Sequence, residues 1–187
     1  MNIFFSDANP EKAAFNLDFK RVNKMLLESC QMLSTSVNEL GGRAPYKSTH
    51  KNHPSNVWAR QSLDNFCWLL NHANFLSYYY TKGSGKIHAC SKILSELLNN
   101  LEEIKENFPK RGLTPFANCA ANDSKGINFK SIQDPIEAYR RYLIARWNDD
   151  FKTPDWRHIG KLTLFELNKD WLGVDNSDKF FYKSKKL

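Results

Sequence analysis

No apolar run approaches the roughly 18 residues that a membrane span needs, because Lys, Asn and Glu interrupt every candidate. The amino terminus, Met1-Asn2-Ile3-Phe4-Phe5-Ser6-Asp7, has neither a basic leading region nor a small-residue cleavage site, so no secretory leader is expected. Cysteine is sparse. Cys30, Cys67, Cys90 and Cys119 stand far apart, which excludes a Cys-x-x-Cys knuckle, a thioredoxin motif and a dense disulfide framework. Apolar neighbours mark Cys30, Cys67 and Cys90 as small core residues, reduced in a reducing compartment. Also absent are a Walker-type phosphate loop, Gly-x-Gly-x-x-Gly after a strand, His-Glu-x-x-His and Gly-x-Ser-x-Gly. Gly83-Ser84-Gly85-Lys86 lacks the first glycine of a phosphate loop and follows a helical pattern.

What remains is basic and rich in core formers. The 27 Lys and Arg exceed the 20 Asp and Glu, for a net charge of +7, while hydrophobic residues make up 41% and aromatics 13%. A chain of 187 residues suits one compact domain with an appendage. The expected setting is intracellular, with DNA as the partner and no membrane.

Periodicity gives a mainly α reading: a compact single-domain helical bundle with long loops and a basic C-terminal extension. Ile3-Phe4-Phe5 suits a short strand or an apolar plug, and Asn9-Pro10 reads as cap and first residue of a helix. A long helix is expected from Asp18 to Glu39, stopping at Gly41-Gly42. At about 100° per residue its Val22, Met25, Leu26, Ser29, Leu33, Val37 and Leu40 share one face. Lys20, Lys24, Glu28, Gln31, Thr35 and Asn38 lie within about 80° of one another on the other. After a basic loop over 43–53, one helix is expected from Pro54 to Gly83-Ser84-Gly85, and another from Lys86 to Glu106 with Ile87, Cys90, Ile93, Leu94, Leu97 and Leu101 as its stripe. The Pro-, Gly-, Asn- and Asp-rich segment 108–131 reads as a long loop over the surface or over a site. Asp134-Pro135-Ile136-Glu137 then carries the cap, first turn and capping-box position of a helix running to Asp149. The expected division is a helical catalytic or binding domain over 1–159 and an extension over 160–187 that ends in the Lys179–Lys186 cluster.

Three groups carry the chemistry. In the first, Lys20, Lys24, Glu28 and Gln31 form a stripe in which an amine beside a carboxylate supplies nucleophile and acid/base, or else ordinary surface ion pairs. In the second, His50, Asn52, His53, Trp58 and Arg60 crowd directional donors at a helix entry, a cradle for phosphate or a base edge; the plainer alternative is that His53 caps the helix and His50 decorates the loop. As a zinc site it lacks further ligands, with only His72, His88, His158 and scattered carboxylates to add, so neither metal nor cofactor is expected. In the third, Arg and aromatic residues interleave over 139–147 and 156–158; the aromatics have core spacing, which leaves Arg140 and Arg146 for substrate binding.

The order Asp18-Phe-Lys20-Arg-Val-Asn-Lys24-Met, Glu28, Gln31, then Thr49-His50-Lys-Asn52-His53-Pro54 with Trp58-Ala-Arg60, then Asp134-Pro135, Ala138-Tyr139-Arg140, Trp147 and Pro154-Asp-Trp156 resembles a group of small, uncharacterised phage and bacterial proteins. More remotely it resembles the phage pyrimidine-dimer DNA glycosylases of the endonuclease V type, over about residues 1–157. That resemblance implies a compact all-α enzyme of DNA repair, whose processed N-terminal amine attacks the sugar beside a glutamate of the first long helix. Glu28 is the positional equivalent of that glutamate. The chain departs from the pattern at Met1-Asn2, where no small second residue is present, so the amine falls to Met1, Lys20 or Lys24. The expected function is a DNA glycosylase, with AP-lyase activity if an amine attacks and hydrolase chemistry if water does. Catalysis would rest on Glu28, Lys24 and Lys20, and binding on Gln31, His50, Asn52, His53, Trp58, Arg60, Arg140 and Arg146. The rival readings are an enzyme of free nucleotides or modified bases, and a nonenzymatic DNA-binding or phage–host interaction protein.

Overall fold

Local hydrogen-bond chemistry sets where the helices begin. In the computed structural model, which describes residues 1–160, Asn9 caps α1 (Pro10–Phe15) by accepting from the Glu11 and Lys12 amides. Asp134 caps α6 (Pro135–Asp149) by accepting from the Ile136 amide. Glu137 pairs with Arg141 rather than closing the capping box. The long helix α2 (Phe19–Glu39) matches its expected span, with its apolar stripe buried from Val22 to Val37. The fold is mainly α, with a two-residue hairpin, β1 (Ala121–Asn122) against β2 (Ile127–Asn128), within the long loop. The basic extension expected over 160–187 lies outside the described residues, apart from Gly160.

Two helices differ from expectation. The helix expected over 54–83 is α3 (Pro54–Gln61) followed by α4 (Leu63–Ser84). Ser62 between them is extended, and its hydroxyl accepts from the Asn65 amide. The Asn65 side chain donates to the Trp58 carbonyl at 2.8 Å and to Thr114 Oγ1 at 2.6 Å, so a partner from the distant loop rewards the break. The next helix, α5 (Cys90–Ile104), starts later than Lys86. Gly85, in the left-handed region at φ 69°, ends α4, and His88 Nδ1 accepts from the Cys90 amide ahead of α5. Ile87 thereby falls outside the stripe and is exposed.

The core is centred on α2 against α4, with α1, α3 and α5 packed around them. Ile3-Phe4-Phe5 forms no strand; it is an apolar plug, and Phe5 lies within 4.7 Å of Trp58 and 4.5 Å of Phe116, centroid to centroid. Trp68 Nε1 donates to the Ala8 carbonyl, and Arg140 Nε donates to the Ser6 carbonyl, pinning the same segment from α4 and α6. The N-terminus is therefore a structural element of the core.

Two buried imidazoles make stability pH-dependent. His72 donates from Nδ1 to the Pro10 carbonyl beneath Trp68, and His158 packs against Phe19 and Tyr79. Burial pushes both pKa values down from 6.5 to about 4. The unfolded chain therefore binds protons that the native state refuses. Stability is full above about pH 6.5 and falls as pH drops toward about 4, each histidine adding a slope that approaches about 1.4 kcal/mol per pH unit. The urea midpoint should drop between pH 6.5 and 5, where carboxylates are still ionised. A flat midpoint over that range would show that these imidazoles titrate normally.

Candidate functional site

The plug places the first residue against the polar face of α2. The Met1 α-amino nitrogen lies 3.8 Å from Glu28 Oε2, with the side chains of Met1 and Glu28 3% and 13% exposed. The Asn2 amide donates to the same oxygen at 2.7 Å. Asn2 is itself fixed: its Oδ1 accepts from the Tyr139 hydroxyl at 2.8 Å, and its Nδ2 donates to the Cys119 carbonyl. Phe4 holds a positive φ of 61°, rare for a bulky residue, and the Ser6 amide bonds back to its carbonyl at 2.7 Å. This tight turn redirects the chain from the plug into the pocket, with Phe4 stacked on Tyr142.

The resulting cavity of about 250 Å³ is bounded by four pieces of chain. Met1, Asn2 and Phe4 form one wall, Lys20, Arg21, Lys24, Met25 and Glu28 of α2 a second, Tyr142 and Arg146 of α6 a third, and Ala121-Asn122 of the hairpin the fourth. Its walls carry five cationic groups, the Met1 amine included, and one carboxylate. Arg21 is fully engaged, at 2.6 Å from Asp18 and 2.9 Å from Asp150, while Trp147 Nε1 donates to Asp18. The other ion pairs are looser: Lys24 to Glu28 at 3.6 Å, Lys20 to Asp150 at 3.7 Å and Arg146 to Asp150 at 3.6 Å.

No family model, curated protein or solved structure matches this chain.

The candidates separate cleanly. Lys20, Lys24, Glu28 and Arg146 share the cavity. Gln31 sits a turn further along α2, outside it, and Thr35 and Asn38 are taken up by the 43–53 loop: Thr35 Oγ1 accepts from the Thr49 amide, and Asn38 bonds the Tyr46 carbonyl and the Ala44 amide. The far half of the polar stripe is thus a loop anchor. His50, Asn52, His53 and Arg60 lie outside the cavity wall. His53 Nδ1 accepts from the Ser55 amide, the capping role, and Arg60 donates to the Lys51 carbonyl. Asn56 donates to the Thr49 and His50 carbonyls and touches Met1 Sδ at 3.4 Å, which sets this loop beside the N-terminus. Burial, then the Met1 ammonium and His50, hold His53 below its usual pKa, while Glu28 opposes them. His50 and Asn52 are exposed. Among the described residues no three His, Cys, Asp or Glu side chains gather as a metal site.

Two candidates change role. Trp58 is not a substrate contact: it is 2% exposed and packed among Phe5, Trp68 and Phe116, with Nε1 bonded to the Thr114 carbonyl. Trp58→Ala should cost about 3–5 kcal/mol of stability, read as a lowered urea midpoint. A variant of native stability that has lost only ligand binding would return Trp58 to the site. Arg140 is a tether, with Nε on the Ser6 carbonyl and Nη2 3.4 Å from Asp7.

Asn2, Phe4, Arg21, Tyr142 and Asn122 were not anticipated as cavity residues. Only Arg21 left a signal, its i, i+3 spacing from Asp18 at the start of the helix.

Proposed function

We propose that this protein is a DNA base-excision enzyme, a glycosylase with AP-lyase capacity, acting on damaged or modified bases. The observation that carries the reading is the α-amine of Met1 held beside the Glu28 carboxylate in a small, cation-walled cavity. An amine and a carboxylate so paired suit attack on a sugar carbon, and a cationic wall suits a substrate bearing phosphates.

In this reading the Met1 amine, having given up a proton, attacks C1′ of a nucleotide extruded from the duplex. The C1′–N bond to the base breaks, its electron pair leaves with the base, and the base takes up a proton. A proton passes from the new ammonium to O4′ as the C1′–O4′ bond breaks and the sugar ring opens, which gives a protonated imine between Met1 and C1′. Glu28 stabilises positive charge as the glycosidic bond breaks. It then removes a C2′ proton, which expels the 3′ phosphate and cleaves the strand. The Asn2 amide on Oε2 orients the carboxylate, and Tyr139 is a positioning residue that acts through Asn2. Phe4 and Tyr142 offer an aromatic wall to the sugar or base.

The direct test is turnover on duplexes carrying an abasic site or a modified base, with binding measured alongside. Strand cleavage at the abasic site is expected, with affinity that falls steeply as salt rises. Salt-insensitive binding without base release or cleavage would remove the reading.

A further inference from the structure

We infer that Arg146, Lys20 and Lys24 form a phosphate subsite on the cavity wall, which grips a phosphoryl group of the nucleotide whose sugar meets Met1 and Glu28. The inference rests on the proposed reading for what the sugar is doing there. The subsite itself stands on its own geometry.

All three side chains line the one cavity. Arg146 is the fixed member: its side chain is 19% exposed, and its Nε is buried without a hydrogen-bond partner. A buried guanidinium N–H left unmet is costly, and a small rotation of the side chain toward an oxygen ligand in the cavity would meet it. Its acidic neighbour does not reach it well. Asp150 lies 3.6 Å from Nη2 of Arg146, beyond ordinary hydrogen-bond length, because the same carboxylate is committed to Arg21 at 2.9 Å. Lys20 and Lys24 are the mobile members, 70% and 68% exposed, and their acidic partners stand at 3.7 and 3.6 Å. Each can swing onto an anion without breaking a tight bond.

The acids around the cavity set where the anion sits. Asp18 and Asp150 flank Arg21, and Asp18 also accepts from Trp147 Nε1; two carboxylates thus face one guanidinium, and the remaining negative charge falls to Lys20 and Arg146, at 3.7 and 3.6 Å from Asp150. Glu28 is held by the Asn2 amide and the Met1 amine. Five cationic groups thus stand against three carboxylates, Glu28, Asp18 and Asp150, and a phosphate held between Arg146 and the two lysines meets that net positive excess. This differs from the expectation that the 49–60 loop grips phosphate: Arg60 there is bonded to the Lys51 carbonyl, and His53 is spent on the α3 cap.

The phosphoryl group is either a strand phosphodiester or the terminal monoester of a free nucleotide. The test follows the Nε–Hε resonance of Arg146 in 15N-arginine-labelled protein, assigned by its absence in Arg146→Lys. Three probes are titrated: inorganic phosphate, thymidine 5′-monophosphate, and a trinucleotide with a central tetrahydrofuran abasic analogue. A saturable shift of that resonance is expected with inorganic phosphate, and Lys20→Ala and Lys24→Ala should each weaken the best-bound probe by about tenfold. Tighter binding of the trinucleotide than of the monophosphate identifies a strand phosphodiester, and the reverse order a free nucleotide; either supports the subsite. An unmoved Arg146 resonance at saturating phosphate and trinucleotide would overturn it, as would native affinity in both lysine variants. Because nothing turns over in these titrations, a shift without base-excision activity would sink the glycosylase reading and leave the subsite standing.

Discussion

Glu28→Gln is expected to leave a folded protein whose base release and strand cleavage fall by about 10²–10⁴-fold. The substitution keeps size and one acceptor oxygen, so the 2.7 Å bond from the Asn2 amide survives. It removes the charge that faces the Met1 amine at 3.8 Å and Lys24 at 3.6 Å. Because the Glu28 side chain is only 13% exposed, the pair it forms with the Met1 ammonium is partly shielded from water, and a stability cost of about 1–3 kcal/mol should accompany the kinetic loss. DNA binding should hold or tighten, since an anion has left a cavity that receives phosphates. Single-turnover kinetics, a urea titration and a binding isotherm read the three quantities separately. Unchanged turnover in a folded Glu28→Gln protein would rule out the carboxylate's role.

The second large effect concerns the amine. Acetylating the Met1 α-amine, or adding one residue before Met1, should lower activity by at least about a thousandfold. Neither change disturbs the plug, whose burial begins at Ile3 and whose anchors are Trp68, Arg140 and Tyr139. The fold should persist, with a thermal midpoint lowered about as far as in Glu28→Gln, because both changes lose the same Met1–Glu28 charge pair. The contrast with Glu28→Gln is informative: one change removes the nucleophile and the other the charge that assists it. Full activity after acetylation would transfer the chemistry to water, or to Lys20 or Lys24.

What the sequence revealed and what it hid follow a physical pattern. The starts of α1 at Asn9-Pro10 and of α6 at Asp134-Pro135 depend on bonds made within one turn, and the span of α2 on its apolar period; these were legible. The break at Ser62 was not, because the Asn65 side chain makes it with help from Thr114, about fifty residues away in a loop without periodicity. Glu28 and Lys24 were legible as an i, i+4 pair opposite the apolar stripe. The amine that completes the site was left open among three candidates, since only the burial of Phe5 among Trp58, Trp68 and Phe116 brings Met1 to Glu28. The same packing explains Trp58: a tryptophan beside directional donors at a helix entry reads as part of a phosphate or base-edge cradle until its neighbours are known. Arg140 and Arg146 lie six residues apart on α6 with similar local context, yet one meets the Ser6 carbonyl and the other the cavity. Helical spacing alone does not separate them.

The measurement that bears most directly on the paired amine and carboxylate is borohydride reduction of the protein with an abasic duplex, followed by peptide mapping. Hydride delivered to an imine carbon fixes the sugar to whichever nitrogen attacked it. A stable protein–DNA adduct mapping to the Met1 nitrogen, lost on acetylation and sharply reduced in Glu28→Gln, is the expected result. An adduct on Lys20 or Lys24, or base release with no adduct at all, would contradict it.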